Sequence, residues 1–194
     1  MSRSRRTHID IEALRLRDRV GRRPRVLFVG INPGVRSATT GHHFAGYSNR
    51  FWKLLYESGL VAERLRPEND ERLPEFGYGL TNLIARPTPG IGTLRRDEFV
   101  EGLRVLRRKV RRWRPEVVAF VGVTLFRAIF AIPGSRRVPL GLQQERFEHA
   151  RVFVLPNPSG RNANYTYDEM RAAFRGLGTL LRRRRRSVTV AHSP

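Results

Sequence analysis

The stretch Arg25-Val26-Leu27-Phe28-Val29-Gly30-Ile31-Asn32-Pro33-Gly34 decides how the rest of the chain reads. A short unbroken apolar run halted by glycine and proline is what a strand buried on both faces of a parallel sheet looks like, since neither face meets water. Two more runs share that grammar: Val117-Val118-Ala119-Phe120-Val121-Gly122, and Arg151-Val152-Phe153-Val154-Leu155 before Pro156. A fourth, Gly79 to Ala85, is strand-like before Pro87 and Pro89 but carries polar Thr81 and Asn82. Between them lie helical patterns. Phe51, Trp52, Leu54, Leu55 and Tyr56 cluster at helical spacing from an N-capping Asn49 to Gly59. Phe99, Leu103, Leu106 and Val110 stripe the segment from Arg96 to Trp113, whose outer face is strongly cationic. A short helix runs to Phe130, a closing helix spans Asp168 to Leu181, and Ile9 to Leu16 predicts a short helix ahead of Pro24. The segment from Gly34 to Asn49 is expected to be a long loop, and Glu63 to Phe76 a polar spacer.

Strands alternating with helices require crossover connections, hence an α/β fold with a mainly parallel sheet and helices on both faces. Ligands of such sheets bind beyond the carboxyl ends of the strands, so the loops after Gly30, Leu83 and Leu155 are expected to converge on one crevice. No internal repeat is visible. The expected organisation is a basic lead-in over 1–23, a single domain over 24–181 and an arginine-rich tail over 182–194.

The 194 residues carry 38 basic against 17 acidic side chains, a net charge of +21, and 36 of the basic residues are arginine. Guanidinium pairs bidentately with phosphate and stacks on bases, which makes nucleic acid the leading partner class. The competing explanation is a coding bias that inflates arginine and leaves a merely solvated surface. Absence of cysteine excludes disulfides, thiolate metal sites and a cysteine nucleophile. No apolar run approaches the roughly 20 residues needed to cross a bilayer, and the basic start is not followed by a signal-type apolar stretch. The expected setting is cytoplasmic, associated with the nucleoid in a bacterium, or nuclear in a eukaryote. The run Arg182 to Arg186 reads as an interaction tail supplying phosphate contacts, with stabilisation of a helix C-terminus as the alternative.

Three motifs carry chemistry. Gly30-Ile31-Asn32-Pro33-Gly34 sets a tight path that holds Asn32 at the mouth of the sheet, though a plain turn would use the same residues. It lacks the Gly-Lys-Ser/Thr of a phosphate loop. Gly41-His42-His43-Phe44 offers Phe44 as a flat surface for a base, while the adjacent histidines lack the further ligands a zinc site needs. Pro156-Asn157-Pro158-Ser159-Gly160 is the third unusual loop.

In order along the chain, Gly30 to Gly34, Gly41 to Phe44, Asn49-Arg50-Phe51-Trp52-Lys53, Leu80-Thr81-Asn82-Leu83 and Pro156 to Gly160 resemble the motifs of the mismatch-specific uracil/thymine DNA glycosylases. These belong to the uracil-DNA glycosylase superfamily, and the similarity runs from about Arg25 to Leu181. The resemblance implies a three-layer α/β/α sandwich that flips uracil, or thymine mispaired with guanine, out of duplex DNA and hydrolyses its N-glycosidic bond. It implies Asn32 as the catalytic residue that positions water and Phe44 as the stacking aromatic. Gly30, Ile31, Pro33, Gly34, Ser37, His43 and Asn82 would complete the base pocket. Asn157, Pro158, Ser159, Gly160, Arg161 and Asn162 would form the loop that enters the base stack, with arginine at 161 where bacterial members often carry leucine.

An amide activates water weakly, so slow turnover driven by positioning and electrostatics is expected. Neither Lys53 nor Lys109 falls in a pocket loop, which argues against a Schiff-base lyase step and for a monofunctional enzyme that leaves an abasic site. Ser37 falls where a thymine methyl would project, so uracil is expected to be preferred. Asp97 or Glu98 is kept as a carboxylate assisting Asn32 from a loop. The expected partner is double-stranded DNA with G·U or G·T mismatches; the expected state is a monomer with no membrane, metal or cofactor. Alternatives are a catalytically silent DNA- or RNA-binding module and a uracil glycosylase acting equally on single strands.

Overall fold

A computed structural model describes residues 10–88 and 94–190, with side chains throughout except at 12 and 183–190. The opening residues 1–9 and the side chains of Arg183 to Arg186 therefore lie outside the described residues. Five strands form one sheet: β1 (Val26–Gly30), β2 (Tyr78–Asn82), β3 (Val117–Val121), β4 (Gly141–Phe147) and β5 (Ala150–Leu155), in the order β2-β1-β3-β5-β4. All neighbours pair in parallel except β4, which runs antiparallel to β5 along one edge.

The helices are α1 (Val35–Thr40), α2 (Phe51–Glu57), α3 (Arg96–Trp113), α4 (Val123–Phe130) and α5 (Tyr167–Val190). The apolar strands feed two separate cores by alternation. Val26 and Phe28 of β1, with Ala119 and Val121 of β3, pack with Phe51, Leu54 and Leu55 of α2 and Phe174 and Leu177 of α5. Leu27 and Val29, with Val118 and Phe120, pack with Leu106 and Val110 of α3 and Leu125 and Phe126 of α4. Every residue of β1 and β3 is buried, which is why those runs show no polar alternation. Each large side chain so buried contributes about 2 kcal/mol. The result is an α/β/α sandwich.

Several local expectations change. Residues 11–13 form a single 3-10 turn rather than the start of a helix from Ile9 to Leu16. The chain beyond it is drawn out because Arg19 exchanges backbone hydrogen bonds of 3.0 and 2.7 Å with Leu80, covering the open edge of β2. Residues ahead of Pro24 therefore pair with the sheet edge. The expected long loop after Gly34 contains α1, and the polar spacer contains 3-10 turns over Pro67–Phe76. Strand β4 escapes the pattern because its alternating exposed side is Leu142, Gln144 and Arg146, and an edge strand needs little apolar sequence. The closing helix continues past Leu181 to Val190, so the backbone of the arginine run is helical.

Candidate active site

The chain leaves β1 toward α2 on one face of the sheet and leaves β3 toward α4 on the other, which opens a crevice beyond their carboxyl ends. A cavity of about 250 Å³ occupies it, and all three expected loops contribute. Its walls include Gly30, Ile31, Asn32, Pro33 and Gly34 from the first loop, with Ser37 of α1, His43 and Phe44. Asn82 and Thr88 face them, and Asn157, Ser159 and Arg161 close the remaining side. Pro158, Gly160 and Asn162 do not line it; Asn162 borders an adjoining depression with Arg161.

The first loop is held by backbone bonds in series: Leu83 N–H to Gly30 O and Ile84 N–H to Ile31 O, both 2.8 Å, and Thr88 N–H to Pro33 O at 3.2 Å. Asn32 then uses its amide nitrogen twice, donating to Thr88 Oγ1 at 2.8 Å and to Pro33 O at 3.1 Å. A carbonyl can only accept, so this nitrogen is fixed by its partners and Oδ1 is the atom left for the cavity's contents. Gly30 is required by proximity: a Cβ there would lie 2.6 Å from Asn82 Oδ1. The Asn82 carboxamide has no hydrogen-bond partner among the described residues, so it presents a donor and an acceptor side by side.

Phe44 adopts a left-handed backbone, φ +53°, unusual without glycine. Its ring stacks on Phe51 with centroids 3.9 Å apart and planes 18° from parallel, so a core residue backs one face of this cavity wall. His43 is buried, and its Nε2–H donates to Arg17 O at 2.9 Å, which assigns the proton to Nε2. Burial pushes its pKa below the usual 6.5, so it stays neutral. Its backbone N–H donates to Asp70 Oδ2 at 2.9 Å, and its carbonyl accepts from Trp52 Nε1 at 3.0 Å. Ser37 is buried with Oγ accepting from Ala45 N–H at 3.0 Å. The rim is braced by Arg36, whose Nε donates to Ala45 O at 2.8 Å and whose Nη1 donates to the exposed Tyr47 hydroxyl at 2.7 Å.

The 157–162 loop is tied to itself and to the rim. Asn157 Oδ1 accepts from Ser159 N–H at 3.0 Å, and Asn162 Nδ2 donates to Asn157 O at 2.7 Å. Arg50 N–H donates to Pro158 O at 2.9 Å, and a Cβ on Gly160 would fall 2.4 Å from Ser48 Cβ.

Asp97 and Glu98 do not reach Asn32. Both stand in the first turn of α3, where Arg86 holds the Glu98 carboxylate at 2.6 and 2.9 Å and depresses its pKa to about 2. Among the described residues no carboxylate or lysine lines the cavity. Lys53 lies 3.7 Å from Glu57, and Lys109 bonds Asp18 at 2.8 Å and Thr81 Oγ1 at 3.0 Å. Nor does any group of three or more candidate metal ligands occur among the described residues. His42 instead faces Asp70 Oδ1 at 3.3 Å.

Sequence reasoning missed Thr88 and Asp70. Thr88 had a signal, a lone hydroxyl pinned between Pro87 and Pro89. Asp70 had none, because it lies in a stretch of surface composition, yet it is wholly buried beneath His43 and paired with Arg19 Nε at 2.9 Å.

The comparisons agree with this architecture. The chain is 39% identical over 156 residues to the G/U mismatch-specific uracil DNA glycosylase of Schizosaccharomyces pombe, an alignment covering 77% of this chain and 48% of that protein. The chain thus spans about half the length of the curated relative it matches. Its fold matches the solution NMR structure of a protein provisionally assigned as a uracil DNA glycosylase from Methanosarcina acetivorans, with a TM-score of 0.56. That match covers 85% of this chain and 98% of the other at 16% identity, a likeness of fold alone. The model of the uracil DNA glycosylase superfamily matches residues 18–178, and the chain belongs to that superfamily.

Proposed function

We propose that this chain is a monofunctional DNA glycosylase that takes uracil, paired with guanine, out of duplex DNA and hydrolyses its N-glycosidic bond. The observation that carries the reading is the Asn32 amide: Thr88 and Pro33 occupy its nitrogen, which leaves Oδ1 to accept from a water. A flipped base would lie against Phe44, with its polar edge toward Asn82. As the C1′–N1 bond breaks, its electron pair leaves on the base and positive charge develops on the sugar. The water held by Asn32 then adds to C1′ and releases a proton to solvent while the uracil anion takes one up, giving free uracil and an abasic deoxyribose. With no carboxylate on the cavity wall among the described residues to accept the water's proton, positioning has to supply most of the acceleration and turnover is slow. Ser37, buried in the wall, leaves less room for a thymine methyl, so uracil is preferred. The loop bearing Arg161 would fill the space the base vacates. The name of the Schizosaccharomyces pombe relative supports the choice of the G·U pair.

The test is alkali-revealed strand cleavage, at enzyme excess, of a labelled duplex with one G·U pair, beside G·T and single-stranded uracil. Cleavage is expected at G·U, less at G·T and least on the single strand. Binding without cleavage of any substrate would make the chain a silent DNA-binding module, and equal rates on single and double strands would remove the mismatch preference.

A further inference from the structure

The cavity lies at the carboxyl ends of the strands, yet unpaired positive charge gathers at their amino ends. Val26, Val117 and Arg151 lie side by side in register there, and five residues of strand, about 16 Å, separate that edge from the cavity mouth. Two adjoining clefts open on it. One is lined by Arg22, Arg23, Arg112 and Arg114, the other by Arg23, Arg114, Arg146 and Arg151, with Glu116 as the one acidic residue among the described lining. Among the described residues no carboxylate lies within ion-pair distance of these six arginines, whereas Arg107 and Arg111 farther along α3 are matched by Glu148. Arg23 and Arg114, shared by both clefts, adopt left-handed backbone angles, φ +46° and +50°, where glycine would fit more easily. The backbone beneath is stiff: Glu116 N–H bonds Pro24 O at 3.3 Å, and Arg151 N–H bonds Glu116 O at 3.1 Å. Arg25 Nη2 donates to Leu181 O at 3.2 Å, so the Arg182 to Arg186 run leaves from this same end.

We infer that this face is a second DNA-binding surface, one that grips the phosphodiester backbone of a separate duplex while the cavity face engages the first. Guanidinium groups without carboxylate partners, of which only Arg146 donates to a backbone carbonyl among the described residues, that of His149 at 3.2 Å, suit phosphate oxygens when held on a concave surface. Their placement opposite the cavity prevents one straight duplex from contacting both. One molecule would then bridge two DNA segments and pass between them without full release. The choice of DNA rests on the glycosylase reading; the charge arrangement does not.

The test uses undamaged duplexes, so its result is independent of any base excision. The full chain is added to a short duplex fixed on beads, and capture of a second, fluorescent duplex is measured, with stoichiometry read by sedimentation. One protein with two duplexes is expected. The variant R23Q/R112Q/R114Q/R151Q should lose second-duplex capture by about tenfold, with a shallower salt dependence, while retaining binding to the fixed duplex through its cavity face. The milder R22Q/R112Q, which alters two exposed side chains, should lose part of it. Capture unchanged in both variants, or bridging only by a protein dimer, overturns the proposal. So does displacement of the second duplex by single-stranded RNA at much lower concentration than by duplex competitor, which would assign the face to RNA.

Discussion

The two ends of the same parallel strands are built on opposite principles. At the carboxyl end several polar side chains are tied to specific partners, Asn32 to Thr88, Ser37 to Ala45 and His43 to Arg17, with the Asn82 carboxamide left open toward the cavity. At the amino end the arginines of the two clefts lack acidic partners among the described residues. Bonded groups in a concave site fix atoms to within a fraction of an ångström, which is what bond-breaking chemistry demands. Unpaired cations create a field that falls off over a Debye length and reads no sequence. On the proposed reading a single fold separates the task of placing atoms from that of holding a polyanion.

The contrast is most exposed to a change at Asn32. Asn32→Ala should lower single-turnover excision at a G·U pair by about 10²- to 10³-fold with duplex affinity unaltered. A loss under about tenfold would mean the amide does not position the reacting water. Asp70→Ala should cost about 3 kcal/mol in denaturant unfolding, because Arg19 and the His43 N–H lose a buried partner. Thr88→Val, which frees the Asn32 amide to rotate, should slow excision by about tenfold while stability changes by about 1 kcal/mol. Gly30→Ala should shift the Asn82 carboxamide and raise the enzyme concentration needed for half-maximal rate more than it lowers the maximum.

The smallest effect is one of pH. His43 has a folded pKa below 6.5, so the unfolded chain binds more protons as pH falls beneath that value, and stability declines with it. Thermal unfolding scanned downward from neutral pH should show this decline, reduced in His43→Gln. Glu98 adds a loss at lower pH, as acid carries its carboxylate from the unfolded value of 4.5 toward about 2.

Burial explains which parts could be read from residues alone. Strands β1, β3 and β5 declared themselves because both their faces are covered, and α3 because its stripe matches the helical period from Arg96 to Trp113. The three loops of the cavity were legible as glycine, proline and asparagine clusters at strand ends. Strand β4 was not, being an edge strand whose outward side chains are mostly polar. Asp70 and Arg19 were illegible for another reason: their partners are 51 residues apart, and no local pattern encodes an ion pair at that separation. Thr88 contributes by geometry, through a hydroxyl aimed at Asn32, and only the packed loop reveals it.

The contact between Gly160 and Ser48 has a consequence in time. With the Arg50 N–H to Pro158 O bond, it clamps the 157–162 loop to the segment that leads from Phe44 into α2. On the proposed reading, the loop that would enter the duplex is tied to the wall that would receive the base, so the two would advance together. Extrusion and capture would then be a single kinetic event, and the abasic strand would leave in one step whose rate depends on the whole clamp.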